Sequence, residues 1–418
     1  MDQRIERAIL KGVVKISPSK SDSQRAILAA ALSKGTSNLY NVGNSADENS
    51  MLNAIQQLGA KIKKVDDNTL EVTGSKHFPE KATINSGESG LGARLLTAVC
   101  AAHKGIFNLI GEGTILHRPM MFFDNVFPTL GVSIKTNDGF LPFKVEGPMY
   151  ATEIIVDGSQ SSQYVSGLLM ALPLQKADSV LKVENLKRTP YIRMTISTLA
   201  AFGIEINYSN FEEFRINGNQ EYKSTNYTIE GDWSSASYWL VASALGAEIF
   251  VNGLSIKSLQ ADKRILDALI AAGCSVVHTK EGISIDGKER HAFVFDATNC
   301  PDLFPSLVAF AALTNGISKI KGVHRLKHKE SDRGEILCQE FKKLGVEIEL
   351  NGDIMLVHGN AQISGGTVDS CHDHRIAMCL AIIGNFANKT ITIKHAEAVS
   401  KSYPDFWEHL KLLRSNDN

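Results

Sequence analysis

A short pattern of hydrophobic and polar positions recurs five times along the chain. Each copy is an apolar run with helical spacing, a glycine and a short alternating segment, as in MLNAIQQLGAKIKKV and ILCQEFKKLGVEIEL. The glycines lie at intervals of 72, 72, 70 and 72 residues: Gly59, Gly131, Gly203, Gly273 and Gly345. Because glycine adopts the left-handed conformation without a Cβ clash, each one predicts the end of a helix. The alternation that follows predicts a half-buried strand.

A second recurring element predicts helices that are buried on most sides. Its copies begin with small or polar residues, continue as a nearly apolar stretch, and end in a turn and a strand, as in SSASYWLVASALGAEIFVNG. Together the two patterns indicate six units of about 70 residues, each with two helices and strands. We predict two domains of three units, one formed by residues 18–228 and the other by 1–17 plus 229–418. Residues 10–16 (LKGVVKI) are expected to supply the strand that the last unit lacks.

The composition is that of an ordinary globular protein, and its 418 residues exceed what one hydrophobic core holds. The net charge of -1 argues against nucleic acid or an anionic membrane as partner, so any attraction for an anionic ligand must be local. The six cysteines lack CxxC spacing and are typical of reduced thiols, and the charged N-terminus lacks the apolar segment of a signal peptide. We therefore expect a soluble, cytoplasmic protein.

Candidate ligand-binding residues gather where the buried helices begin. These are Lys20, Ser21, Arg25, Arg94, Ser161, Ser162, Gln163, Asp302, His374 and Arg375. Serine and aspartate at such positions often only cap a helix, but backbone N–H groups and the helix dipole also favour anions there. If the two domains present these helix starts to each other, the cleft between them is positively charged and suited to binding anionic ligands. The charged run Lys329–Arg333 (KESDR), taken alone, is typical of a solvated helix face.

Several motifs occur in an order that identifies a family. SKSDSQRAILAAAL, DGSQSSQYVSGLLMALP, EGDWSSASYWL, KESDR, DHRIAM and KSYPDFW together resemble the 5-enolpyruvylshikimate-3-phosphate synthases, from about residue 17 to residue 407. The resemblance implies an α/β fold of two domains, each of three βαβαββ units (the inside-out α/β barrel of enolpyruvyl transferases), with the active site in the interdomain cleft. It also implies transfer of the enolpyruvyl group of phosphoenolpyruvate to the 5-hydroxyl of shikimate 3-phosphate. This addition–elimination releases phosphate and belongs to the shikimate pathway of aromatic amino-acid biosynthesis.

The resemblance assigns roles to residues of this chain. Shikimate 3-phosphate is expected at Lys20, Ser21, Arg25, Ser161, Ser162, Gln163, Tyr191, Asp302 and Lys329. Phosphoenolpyruvate is expected at Lys20, Gly90, Gln163, Arg333, His374, Arg375 and Lys401. Asp302, Glu330 and Lys20 are the candidate proton-transfer residues, in a division of labour that stays open. No metal or organic cofactor is implied, because phosphoenolpyruvate is itself the activated donor, and no nucleic acid or membrane; a monomer is expected.

Four positions depart from the commonest pattern of the family. Glu88 and Arg325 replace asparagines, Thr114 replaces an arginine, and Arg188 replaces a serine. The loss of an arginine at position 114 weakens the phosphoenolpyruvate site unless Arg118 or Arg188 compensates.

Two alternatives remain. One is a catalytically impaired relative that binds shikimate 3-phosphate. The other is a UDP-N-acetylglucosamine enolpyruvyl transferase, which has Lys-Asn where this chain has Lys20-Ser21. Since Lys20, Asp302 and Glu330 are retained, we expect activity.

Overall fold

The computed structural model of the protein describes residues 1–150, 152–186, 189–327 and 329–414. The chain forms two compact units. The N-terminal-half unit is Pro18–Ile229, and the C-terminal-half unit combines Met1–Ser17 with the chain from Glu230 onward. Within the described ranges, every helix is too short or too polar to cross a membrane.

Helices and strands alternate along most of the described chain. The α-helices are α1 (Lys20–Leu32), α2 (Ala46–Gln57), α3 (Gly90–Ala101), α4 (Phe122–Val126), α5 (Ser162–Ala171), α6 (Thr189–Ala201), α7 (Trp233–Ala244), α8 (Ile265–Ala271), α9 (Phe304–Ala312), α10 (Arg333–Lys343), α11 (His374–Gly384) and α12 (Phe406–Arg414). The strands are β1 (Gln3–Ile5), β2 (Lys11–Lys15), β3 (Thr36–Tyr40), β4 (Lys61–Asp66), β5 (Thr69–Thr73), β6 (Lys81–Asn85), β7 (Gly105–Ile110), β8 (Ser133–Asn137), β9 (Phe140–Gly147), β10 (Glu153–Asp157), β11 (Ser179–Glu184), β12 (Asn207–Ser209), β13 (Glu213–Ile216), β14 (Asn226–Thr228), β15 (Glu248–Asn252), β16 (Ser275–His278), β17 (Ile283–Asp286), β18 (Val294–Asp296), β19 (Ile317–Lys321), β20 (Ile348–Asn351), β21 (Ile354–His358), β22 (Gly366–Asp369) and β23 (Ile391–Lys394).

In the N-terminal-half unit the described strands form sheets of one design, ordered β14-β3-β5-β4, β6-β7-β9-β8 and β10-β11-β13-β12. In each sheet the first two strands are parallel and the remaining pairs are antiparallel. The second sheet with its helices reads β6, α3, β7, α4, β8, β9, which is a βαβαββ unit. The first sheet receives its parallel edge strand, β14, from the end of the unit.

The C-terminal-half unit repeats this design with one shortened sheet. Its described strands are ordered β16-β17-β15-β2, β18-β19-β21-β20 and β1-β23-β22. The prediction that residues 10–16 complete the last unit is wrong, because β2 runs parallel to β15, with Lys11 opposite Glu248. The last sheet is completed instead by β1, which is antiparallel to β23 and adds the buried Ile5.

The predicted buried helices and glycine ends are confirmed. Every residue of α3, α7, α9 and α11 is buried. The repeat glycines at 59, 131, 203, 273 and 345 all have left-handed backbones, with φ of 94°, 74°, 77°, 82° and 84°. In the N-terminal-half unit, α3 packs against α5, and α5 against α6, inside the hydrophobic core. The first residues of these helices are thereby held in fixed positions.

Candidate active site

Arg333 is the first residue of α10 and is completely buried. Its Nε donates to Asp373 Oδ2 at 2.7 Å, Nη1 to Asp302 Oδ1 at 2.7 Å, and Nη2 to Glu330 Oε2 at 2.6 Å. Burial alone lowers the pKa of a guanidinium, but the charges of Asp373, Glu330 and Asp302 together raise the pKa of Arg333 well above its usual range. The solvated-face interpretation of KESDR is therefore wrong for Arg333. Asp332 next to it caps α10 by accepting from the backbone N–H of Glu335.

Asp302 lies just before α9 and is surrounded by cations. Lys329 Nζ donates to its Oδ1 at 2.8 Å, Arg333 contacts the same oxygen, and Arg375 Nη2 lies 3.6 Å from Oδ2. Burial alone raises the pKa of a carboxyl, but Arg375, Lys329 and Arg333 hold the pKa of Asp302 well below its usual range. Asp302 is consequently ionised at neutral pH and is a weak base while these contacts last.

The start of α11 adds further residues to the cluster around Asp302, which so far consists of Asp302, Lys329, Glu330 and Arg333. Asp373, the N-cap residue, is fully buried and accepts from the backbone N–H of Arg375 at 2.9 Å and from Ser331 Oγ at 3.1 Å. His374 is the first helical residue, is buried, and has Nδ1 3.8 Å from Asp373 Oδ1. Sequence reasoning did not select Asp373. An aspartate that caps a buried helix, next to two predicted ligand-binding residues, was the available signal.

Asp262 is a second residue that the motif order did not reveal. It lies in the turn of 3-10 helix Ala261–Arg264, is 1% exposed, and accepts a hydrogen bond from Ser234 Oγ in the first turn of α7. Burial and then the charge of Asp302 raise the pKa of Asp262 to about 6, against the opposing effect of Arg375. The protonation of Asp262 therefore depends on the charge of Asp302.

Lys401 is buried at the end of the 3-10 helix Ala396–Lys401 of the same unit. Arg325 is half-buried in the 3-10 helix Val323–Arg325. Among the described residues, the group that could hold a metal ion is Glu347, Glu349 and His358, whose ligand atoms lie within 4.8 Å of one another. These side chains belong to the β20–β21 hairpin and its flank, and none of them is a residue of the Asp302 cluster.

In the N-terminal-half unit, α1 carries the predicted phosphate-binding residues. Lys20 Nζ lies 2.9 Å from Asp47 Oδ2. Arg25, 1% exposed, donates from Nε to Thr195 Oγ1 at 2.8 Å and from Nη1 to the Ser21 carbonyl at 2.6 Å. Burial lowers the pKa of Arg25 to about 10, so the guanidinium remains a cation at neutral pH. A buried cation held by neutral oxygens is suited to a phosphate or carboxylate ligand.

Thr195 links α1 to the helix that carries Tyr191. Its hydroxyl accepts from Arg25 and contacts the Tyr191 carbonyl at 3.0 Å and Ser166 Oγ at 2.8 Å. Tyr191 is half-buried in α6. The position predicted for the shikimate ring is therefore connected through one hydroxyl to the predicted phosphate ligand Arg25.

The starts of α3 and α5 are joined by Arg94. Its Nη1 donates to the Gly90 carbonyl at 2.8 Å and to Gln163 Oε1 at 3.0 Å. Ser161 caps α5 by accepting from the Gln163 backbone N–H, and Ser162 is buried in the first turn. The structure thus brings together Gly90, Arg94 and Gln163.

The four departures from the family pattern have different surroundings. Thr114 donates to Glu88 Oε2 from both its backbone N–H and its hydroxyl, each at 3.0 Å. Arg118 Nη1 and Arg94 Nη1 lie 2.8 and 2.9 Å from the position of a Cβ built on Gly90, so two guanidinium groups adjoin that glycine. Arg188 lies outside the described residues.

Three comparisons with known proteins agree. Residues 6–410 match the family model described as EPSP synthase (3-phosphoshikimate 1-carboxyvinyltransferase). Similar proteins named 3-phosphoshikimate 1-carboxyvinyltransferase include those of Clostridium kluyveri, 37% identical over 97% of this chain and 95% of that protein, and Clostridium acetobutylicum, 38% identical over 98% and 96%.

A solved structure of EPSP synthase from Acinetobacter baumannii has a TM-score of 0.81 with this chain. It covers 99% of this chain and 98% of that one, at 24% identity. At this identity the likeness establishes the fold, and the predicted enolpyruvyl transferase fold is confirmed.

Proposed function

This chain belongs to the EPSP synthase family, and on that premise we propose how its residues carry out the family's reaction. The protein is a transferase that moves the enolpyruvyl group of phosphoenolpyruvate to the 5-hydroxyl of shikimate 3-phosphate and releases phosphate. The two substrates carry phosphate and carboxylate groups. They therefore require several fixed cations, and arginine forks suit both kinds of group.

Binding is proposed to be divided among the predicted residues. Lys20, Ser21, Arg25, Ser161, Ser162, Gln163, Tyr191 and Lys329 bind shikimate 3-phosphate. Gly90, Arg333, His374, Arg375 and Lys401 bind phosphoenolpyruvate, with Lys20 and Gln163 contacting both substrates. The buried, charged state of Arg25 and the guanidinium groups beside Gly90 support this assignment.

The observation that carries the mechanism is the sharing of cations around Asp302. Lys329, Arg333 and Arg375 contact its carboxylate. Of these, Arg333 and Arg375 are also proposed to bind phosphoenolpyruvate. When the anionic groups of phosphoenolpyruvate compete for these cations, the cations stabilise the ionised form of Asp302 less. The pKa of Asp302 therefore rises. Donor binding thereby converts a weak base into one that can accept the proton of the 5-hydroxyl.

The second proton movement is assigned to Glu330. Its carboxylate is bonded to Arg333 at 2.6 Å and so lies beside a proposed donor ligand. In the addition step Glu330 acts in its protonated form: it delivers its proton to the methylene carbon as the new carbon–oxygen bond forms, and Asp302 receives the proton of the 5-hydroxyl. In the elimination step Glu330 takes a proton back from the resulting methyl group, the carbon–oxygen bond to phosphate breaks, and the proton held by Asp302 leaves with the phosphate. The carboxylates also stabilise the positive charge that develops at the central carbon of the donor.

The proposed roles predict a specific loss of turnover. Replacing Asp302 by Ala or Glu330 by Gln removes a proton carrier, so kcat should fall about a hundred- to ten-thousand-fold. The measurement is phosphate release from phosphoenolpyruvate with shikimate 3-phosphate present. The control is Glu335→Gln, an exposed glutamate of α10, which should keep the wild-type rate.

Two results would contradict these assignments. Binding of shikimate 3-phosphate by the wild type without any phosphate release would instead support the catalytically impaired relative. Full activity of both variants would remove Asp302 and Glu330 from the proton transfers.

We further propose a cytoplasmic monomer. The described cysteines are free thiols, as is usual in a reducing compartment. The mass in solution, measured by light scattering, decides the oligomeric state.

A further inference from the structure

We propose that Glu88 and Thr114 form a clasp that positions Arg118 for phosphoenolpyruvate and sets the charge of that subsite, a role that rests on the proposed function above. Both residues depart from the commonest family pattern, and the structure bonds them to each other. Both changes, arginine to threonine and asparagine to glutamate, make this part of the unit more negative.

The clasp joins the segment before α3 to the segment that leads to Arg118. Glu88 Oε2 accepts from the backbone N–H and from the hydroxyl of Thr114, each at 3.0 Å. Thr114 belongs to the 3-10 helix Gly113–His117, and Arg118 is the residue that ends it. A shift of the Glu88–Thr114 contact therefore moves the backbone that carries Arg118.

Gly113 shows how closely this segment lies on the Glu88 carboxylate. A Cβ built at position 113 would be 2.4 Å from Glu88 Cδ, and φ is +55°. A side chain at this position would be strained by the left-handed backbone and would have to displace the Glu88 carboxylate. The absence of a side chain here allows the acid to reach the backbone N–H of Thr114.

A second set of hydrogen bonds holds the same two segments together. Asn85 Nδ2 donates to Glu112 Oε1 at 2.7 Å, and the Glu112 backbone N–H donates to the Gly87 carbonyl at 2.9 Å. Asn85 Oδ1 also accepts from the Gly87 backbone N–H at 2.9 Å. Because this framework does not depend on Glu88, the clasp can be altered without unfolding both segments.

The clasp matters for the donor because of its neighbours. The guanidinium groups of Arg94 and Arg118 adjoin Gly90, two residues after Glu88. A carboxylate on the segment that leads into this site reduces the attraction of these cations for an anionic ligand. Glu88 thus has two opposing effects: its hydrogen bonds position Arg118, and its charge weakens binding of phosphoenolpyruvate.

Two conservative variants separate these effects. Glu88→Gln keeps an acceptor for Thr114 but removes the charge, so KM for phosphoenolpyruvate should fall about three- to tenfold. Thr114→Val removes the hydroxyl donor but keeps the charge, so the same KM should rise about three- to tenfold. Thr114→Ser retains the hydroxyl and should restore the wild-type KM. KM for shikimate 3-phosphate should stay within about twofold in all three.

The matched control is Thr136→Val. Thr136 Oγ1 donates to both carboxylate oxygens of Asp124, at 2.9 and 3.0 Å. The substitution therefore removes a threonine–carboxylate hydrogen bond of the same kind in the same unit. It should lower the melting temperature without changing KM for phosphoenolpyruvate. Three outcomes overturn the clasp: a rise of KM in Glu88→Gln, equal KM values for Thr114→Val and Thr114→Ser, or a parallel rise of both substrates' KM values.

The test also separates the clasp from the proposed function. If the wild type releases no phosphate, the proposed function fails. The clasp is then judged by calorimetric titration of the same variants with phosphoenolpyruvate in the presence of shikimate 3-phosphate. The affinities should change in the same directions as predicted for KM, and unchanged affinities refute the clasp.

Discussion

Arg333 is held by carboxylates from three separate segments of the chain. Four hydrogen bonds join it to Asp302, Glu330 and Asp373. The family motifs indicated Arg333, Asp302 and Glu330, but their mutual contacts could not be predicted. A charge run in a sequence gives spacing along one helix only, whereas the partners lie 31 and 40 residues away. Asp373 was missed because a capping aspartate looks the same in sequence whether or not it also holds an arginine.

Asp262 leads to a prediction about pH. Its folded-state pKa of about 6 lies above the unfolded value of 3.8, so the folded state binds this proton more tightly. Its ionisation therefore destabilises the protein above about pH 6, and this penalty disappears as the pH falls toward 4. The charged groups nearby are Asp302, Arg375 and Asp232. Asp262→Asn keeps an acceptor for Ser234 but removes the penalty.

Denaturant unfolding at several pH values checks this. Relative to wild type, Asp262→Asn should be more stable at pH 7, by roughly 1–3 kcal/mol, and this advantage should vanish near pH 4. The control is Asp267→Asn, whose exposed carboxylate pairs with Arg264 and should show no such trend. A difference that is constant from pH 4 to 7 would argue against an ionisation of Asp262 in this range.

At the scale of elements, the repeat glycines end their helices as the pattern predicts. Gly345 is a clean example, because φ is +84° and a Cβ there would make only ordinary contacts, at 3.4 Å or more. A residue substituted for Gly345 would therefore be strained by the left-handed backbone and not by contacts of its side chain. The buried helices were also predictable, since their apolar residues cover most of the helix surface.

Substitution at Gly345 should separate backbone strain from packing. Gly345→Ala should lower the free energy of unfolding by about 1–2 kcal/mol, while Gly345→Asn should cost less, because asparagine tolerates the left-handed region better. Chemical denaturation of both variants measures the difference. Equal losses would mean that contacts, and not the backbone conformation, limit this position.

At the scale of the whole molecule, the sixfold repeat was readable because spacing and periodicity survive in a single sequence. The partner of residues 10–16 was not, because a five-residue alternating strand specifies its faces and leaves the choice of sheet to long-range pairing. The strand β2 pairs with β15, and β1 takes the place beside β23. The clasp was equally hidden, since two departures 26 residues apart in sequence revealed their contact only in three dimensions.

The central claim is that phosphoenolpyruvate takes cations from Asp302 and so raises its basicity. The direct test is the pH dependence of kcat and of kcat/KM for phosphoenolpyruvate, at saturating shikimate 3-phosphate, because kcat/KM reports the enzyme before donor binding and kcat the complex. The Asp302→Glu variant should shift the apparent pKa of the low-pH side of these rate profiles, which assigns that side to Asp302. We predict a higher apparent pKa for that side in kcat than in kcat/KM. An equal or lower pKa in kcat would contradict the account.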